Sequence, residues 1–272
     1  VRLLRTFMIR DFALERKAPD QAKNTTRLLM AYQTGDGPRA FCTTAWTVIL
    51  SAMDPESADY TTALQKLCAT YWFPLYAYAR RKGLNTEDAQ DAVQSFFQAL
   101  LSKDFLNSVD RHKGKFRSFI VTAFNRFLIN RFAHGTRLKR GGAARAFSLN
   151  ALEAEDRFLH EPHDEASPDK LFDKNWAETV IALVLERLRE EFVRVGEGAR
   201  FDLLKPNMLG HLTEDNYATL GQKLALSEGG VKTVVRRMRL RFSALLREEL
   251  LHTLANPDDL DSEVRHLLEA LA

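Results

Sequence analysis

Tyr217–Phe242 reads Y-A-T-L-G-Q-K-L-A-L-S-E-G-G-V-K-T-V-V-R-R-M-R-L-R-F. Tyr217, Leu220 and Leu224 fall on one side of a short helix. Ala225 and Leu226 make a tight connection. Ser227 stands where an N-cap belongs, and Glu228 places a negative charge in the first turn, where the helix dipole favours it. Val231, Val234, Val235, Met238, Phe242 and Leu245 then recur at helical spacing, while Lys232, Arg236 and Arg239 recur on another side at i, i+4 and i+7. A short helix, a brief turn and a longer helix with one apolar and one basic side form the pattern of a helix-turn-helix. Two readings follow: Lys232 to Arg241 borders a DNA major groove, or the stretch is a helical hairpin with a solvated basic face. Six Lys or Arg and no acid between Val231 and Arg247 favour the first, because a solvated face usually mixes signs. Gly229 and Gly230 weigh against it, each costing about 1 kcal/mol against Ala within a helix. In a first turn that cost is lower, and the bare backbone suits a phosphate.

The 272 residues suffice for two ordinary domains or one large one, and a hydrophobic fraction of 45% is enough for real cores. The net charge of +3 conceals segregation: residues 111–147 hold ten Lys or Arg and no acid, whereas residues 148–175 hold eight acids against three bases. A basic block of this kind points to a polyanionic partner. Two cysteines, Cys42 and Cys68, make no disulfide framework, so a reduced cytoplasmic setting is the default. No apolar run approaches ~18 residues, so no membrane span is expected.

Residues 1–40 are polar and turn-rich after a first apolar cluster, and are expected to be disordered or loosely attached. A short helix is expected to Met53 and another from near Glu56, interrupted by Pro74 and stopped at Gly83. Most aromatics of Tyr71–Tyr78 read as core. Asn85 caps the next helix. Ala89, Val93, Phe96, Phe97, Leu100 and Leu101 form its buried stripe. Asp91, Gln94 and Gln98 form a second, polar stripe that is either solvated or a docking face. A polar connection leads to F-R-S-F-I-V-T-A-F-N-R-F-L-I-N-R-F, Phe116 to Phe132. Phe116, Phe119, Ile120, Ala123, Phe124, Phe127 and Leu128 make its core side. Arg117, Asn125, Arg126, Asn130 and Arg131 project elsewhere. Amides and guanidiniums beside aromatics suit base edges and unpaired bases, and they also suit a plain solvated back. The basic, glycine-rich and then acidic stretch 136–166 reads as a linker. The spacing of His160 and His163 lacks the further ligands a metal site needs. Ser167-Pro168 opens a long amphipathic helix closed by Gly196 and Gly198, and Pro206 halts the next. A short helix follows Pro257.

Together these segments resemble a bacterial RNA polymerase sigma factor of the extracytoplasmic-function type. E-D-A-Q-D-A-V-Q-S-F-F-Q-A-L-L, Glu87 to Leu101, is similar to the family's region-2 helix that docks on the polymerase clamp. Phe116–Phe132 stands where the family opens and reads the minus-ten element, and Tyr217–Phe242 is similar to region 4, which reads the minus-thirty-five element. The resemblance covers residues 41–250. It implies an all-α fold of two helical domains, 41–135 and 167–250, joined by the linker 136–166, with extensions at 1–40 and 251–272. It also implies that Asp91, Gln94 and Gln98 face core RNA polymerase, that Asn125, Arg126, Asn130 and Arg131 contact the minus-ten region of promoter DNA, and that Lys232, Thr233, Arg236, Arg237 and Arg239 contact the minus-thirty-five duplex. The function implied is promoter recognition without covalent chemistry, cofactor or metal; an anti-sigma factor is left open as a further partner. The chain departs from the family pattern at Phe119, where many members carry Trp, and at Gly230, an extra flexible residue.

Two other readings compete. One is a helix-turn-helix regulator with a helical sensing or dimerisation domain, acting without polymerase. The other is an all-helical enzyme, against which stands the lack of a Gly-rich phosphate loop, an H-E-x-x-H or a nucleophile–base set.

Overall fold

The computed structural model describes residues 60–100, 115–133, 151–160, 167–210, 215–254 and 256–271. Among the described residues lie nine α-helices and no strand: α1 (Tyr60–Arg81), α2 (Thr86–Leu100), α3 (Phe116–Ala133), α4 (Ala151–Leu159), α5 (Pro168–Arg194), α6 (Gly198–Met208), α7 (Asp215–Leu224), α8 (Glu228–Leu251) and α9 (Leu260–Ala270). A 3-10 turn at Pro257–Asp259 precedes α9. The all-α expectation holds for these residues. The arm 1–40, the helix to Met53, the helix start near Glu56, Leu101, the connection to residue 114, the basic run after Gly135 and His163 lie outside them.

The helix ends follow local chemistry. Asn85 Oδ1 accepts from the Asp88 amide at 2.8 Å, and Ser167 Oγ from the Lys170 amide at 3.4 Å, so both expected N-caps are made. Gly83 (φ 93°) and Gly196 (φ 78°) close α1 and α5 in the left-handed conformation. At each, paired turn bonds satisfy the last carbonyls, as in Leu84 N to Ala79 O at 3.2 Å and Glu197 N to Phe192 O at 2.8 Å.

Pro74 does not interrupt α1, which runs through it. A proline inside a helix costs about 3 kcal/mol. Here Tyr71, Trp72, Phe73, Leu75, Tyr76 and Tyr78 are all buried around it, and that apolar burial outweighs the lost bond. Pro206 likewise falls inside α6, which ends two residues later at Met208.

The described residues divide into two compact units. One holds α1–α4, α5 as far as Ile181, and Glu249–Ala270; the other holds Ala182–Glu248 and Leu271. The division falls inside α5 and inside α8.

In the first unit, aromatic contacts organise the core. Tyr78 meets Phe124 and Phe172 at centroid distances of 6.1 and 6.5 Å, and Phe96 meets Phe124 at 5.0 Å. The start of α5 belongs here because Phe172 and Trp176 are fully buried. Part of the expected linker is also built in, as α4. Its Ala154 and Phe158 are buried, and Phe158 lies under the Arg80 guanidinium at 5.0 Å. Glu155 accepts from the Tyr76 hydroxyl and from Arg80 Nε and Nη2 at 3.1 and 2.7 Å. Burial alone would raise the Glu155 carboxyl, but those donors outweigh it and hold it below its ordinary value. In the second unit, Val184, Leu188, Phe201, Leu204, Met208, Val231, Val235, Met238, Phe242, Leu245 and Leu246 are buried.

Candidate nucleic-acid interface

The expected helix-turn-helix stretch folds as a short helix, α7, a brief turn and a longer helix, α8, with α7 and α8 as far as Glu248 in one unit. Its turn is a closed backbone device. Leu226 N donates to Gly221 O at 2.9 Å, and Ala225 takes the left-handed conformation, φ 51°. A Cβ on Gly221 would lie 2.6 Å from Leu226 O, so only glycine fits where α7 meets the turn. Ser227 then caps α8: its Oγ accepts from the Gly230 amide at 3.1 Å.

On α8 the buried side is Val231, Val235, Met238, Phe242, Leu245 and Leu246. Lys232, Thr233, Arg236 and Arg237 are exposed on the other. Lys232 is steadied by Glu228 Oε1 at 2.5 Å and by the Tyr217 ring at 5.4 Å. Thr233 Oγ1 donates to Gly229 O at 2.9 Å, so its methyl and hydroxyl are held in one rotamer. Among the described residues, no carboxylate pairs with Arg236 or Arg237 within salt-bridge distance.

Arg239 is placed differently. Its Nη2 donates to Asn207 O at 2.8 Å and its Nε to Met208 O at 3.2 Å. A guanidinium at a helix C-terminus satisfies orphan carbonyls and suits the dipole. Arg239 therefore ties α8 to the end of α6, although its spacing aligns it with Lys232 and Arg236. Arg241 is likewise occupied, donating to both Glu191 oxygens at 2.9 and 2.6 Å. The bonds to Glu191 outweigh its partial burial and raise its pKa further.

In the other unit, α3 carries the second expected set. Phe116, Ile120, Phe124 and Leu128 are buried, while Arg126 and Asn130 are exposed and Asn125 and Arg131 half-buried. Two apolar side chains stand out on the exposed side: Ile129 at 57% and Phe132 at 63% exposure. The reading of Phe116–Phe132 did not single them out. Their signal is phase, since neither falls on the row 116, 120, 124, 128. Arg117 departs from expectation, because it is buried and not part of the exposed set. Its Nε lies 3.1 Å from Glu263 Oε1, its Nη1 2.5 Å from Asp173 Oδ1, and its guanidinium 5.1 Å from the Trp176 ring. Those partners come from α5 and α9, far along the chain, and local spacing carries no trace of them.

On α2, Ala89, Ala92, Val93, Phe96, Phe97 and Leu100 are buried. Asp91 and Gln98 are exposed and Gln94 is half-buried, so the expected polar stripe lies outside the core. His160 is exposed at the end of α4, where Asp156 is its neighbour. No group of three or more metal-binding side chains occurs among the described residues. None of their helices is long and apolar enough to cross a membrane.

No protein-family model, curated protein or solved structure matches the chain.

Proposed function

We propose that this chain is a sigma-type promoter-recognition factor. In this reading, α2 docks on core RNA polymerase through Asp91, Gln94 and Gln98. Lys232, Thr233, Arg236 and Arg237 of α8 contact promoter duplex. Asn125, Arg126, Asn130 and Arg131 of α3 contact the promoter where it opens. Arg239 stands outside the contact set, since its donors serve α6. The observation that carries the reading is the α8 face: a glycine-dependent turn sets a helix whose exposed side offers two guanidiniums with no carboxylate partner among the described residues, a lysine and a threonine. Such groups neutralise phosphates and reach base edges. Neither activity requires a cofactor.

The test is co-purification with core RNA polymerase, followed by transcription in vitro on genomic DNA with start sites mapped. Wild-type chain is expected to bind core enzyme and direct initiation, and Asp91→Arg to lose both. A wild-type chain that leaves core polymerase unbound sinks this reading in favour of a helix-turn-helix regulator acting alone.

A further inference from the structure

The C-terminal segment closes on the first turn of α3 through contacts of two kinds. In the backbone, Phe116 N donates to Thr253 O at 3.3 Å, and Lys115 and Leu254 form an antiparallel bridge. Among side chains, Glu263 is fully buried and takes Arg117 Nε at 3.1 Å on one oxygen and Lys115 Nζ at 2.8 Å on the other. Lys115 Nζ also donates to Ser262 Oγ at 2.8 Å. Asp173 of α5 completes the set, with Arg117 on one oxygen and His266 Nε2 at 3.1 Å from the other. Val264, Leu267 and Leu268 of the same helix, α9, are buried as well.

We propose that Thr253–Ala270 is a conformational clamp on α3. Held closed by Glu263, it keeps the first turn of α3 in the position that single-stranded DNA requires; released, it switches that contact off. This rests on the reading of α3 as a nucleic-acid face. The physical basis is the all-or-none character of a buried charge network. Glu263 is stable at full burial only while Arg117 and Lys115 both face it, and those cations are compensated only while Glu263 is there. Partial release leaves unpaired buried charge, so the segment is either docked or free. The contact points fall on Lys115, Phe116 and Arg117, the entry to α3, so release acts at the end of the helix whose exposed side begins one residue later at Ser118.

The full chain is compared as wild type, Glu263→Gln and Lys115→Gln. The second variant keeps Arg117 paired and carries the test if the first fails to fold. Amide hydrogen exchange is read at Phe116–Ile120, together with affinity for a fluorescent single-stranded oligonucleotide and for a DNA duplex. Glu263→Gln is expected to raise exchange at Phe116–Ile120 and to weaken single-strand binding by about tenfold each, the size expected for losing a charged hydrogen bond. Duplex binding should stay within about twofold, because that contact is assigned to Lys232–Arg237 of α8, which shares none of the partners of Glu263. Lys115→Gln should move both quantities in the same direction by less. Unchanged exchange at Phe116 in a folded variant overturns the clamp. Raised exchange with undiminished single-strand binding overturns its role. If wild type binds no single strand, the reading of α3 fails and the functional half of the clamp fails with it, while exchange still decides whether the clamp exists.

Discussion

Ala225 sits in a left-handed conformation at the end of α7, a place where glycine carries no Cβ penalty. Ala225→Gly is therefore expected to stabilise the chain by about 1 kcal/mol, read as a higher urea midpoint. Gly221 is the opposite case. Gly221→Ala forces a Cβ against Leu226 O, and should lower stability by about 1–3 kcal/mol and weaken duplex binding together. The arginines of α8 separate by the same kind of argument. Arg236→Ala removes an exposed cation: it should reduce duplex affinity and lessen the salt slope by about one, with melting unchanged. Arg239→Ala strips Asn207 O and Met208 O of their donors, and should cost about 1–3 kcal/mol of stability, seen in thermal melting. Their spacing in the sequence makes the two arginines look equivalent, and only the arrival of the α6 terminus beneath Arg239 distinguishes them.

The helices were legible in the sequence to different depths. Caps at Asn85, Ser167 and Ser227 and stops at Gly83 and Gly196 are local, and spacing alone locates them. Pro74 and Pro206 mislead, because local penalties yield to burial that other elements supply. The meeting of α3, α5 and α9 at Asp173 makes a pH prediction. Burial would raise the Asp173 carboxyl, but His266 and Arg117 outweigh it and hold it below its ordinary 3.8. A carboxylate depressed in the folded state contributes stability that is complete above its unfolded value and is lost as pH falls through the folded one. Asp173→Asn should thus be less stable than wild type by about 1–3 kcal/mol at neutral pH. The gap should narrow as pH falls below 3.8, measured by urea unfolding at both ends of that range.

For the molecule as a whole, a net charge of +3 gives little long-range steering, so the proposed binding to DNA would come from local faces. The exposed cations of α8 are Lys232, Arg236 and Arg237. Duplex affinity of the full chain is expected to fall with salt at a log–log slope of about −3, from roughly 0.9 counterions released per neutralised phosphate. A slope near zero in a titration of affinity against salt would count against phosphate contact by that face.

By itself the sequence determined the helical character of the described residues, most of their helix ends, the short helix, turn and longer basic-sided helix of α7 and α8, and the polar stripe of α2. Each of these depends on residues within a few positions of one another, where dihedral preference, capping and 3.6-residue periodicity act. Tertiary structure alone decided that Arg117 is buried and Arg239 is spent on α6. It also decided that α4 docks on Tyr76 and Arg80, and that the compact units divide within α5 and α8. Those outcomes turn on which distant carboxylate or carbonyl a cation meets. Arg117 and Glu263 lie 146 residues apart, and a guanidinium bound for solvent reads the same in a sequence as one bound for the core.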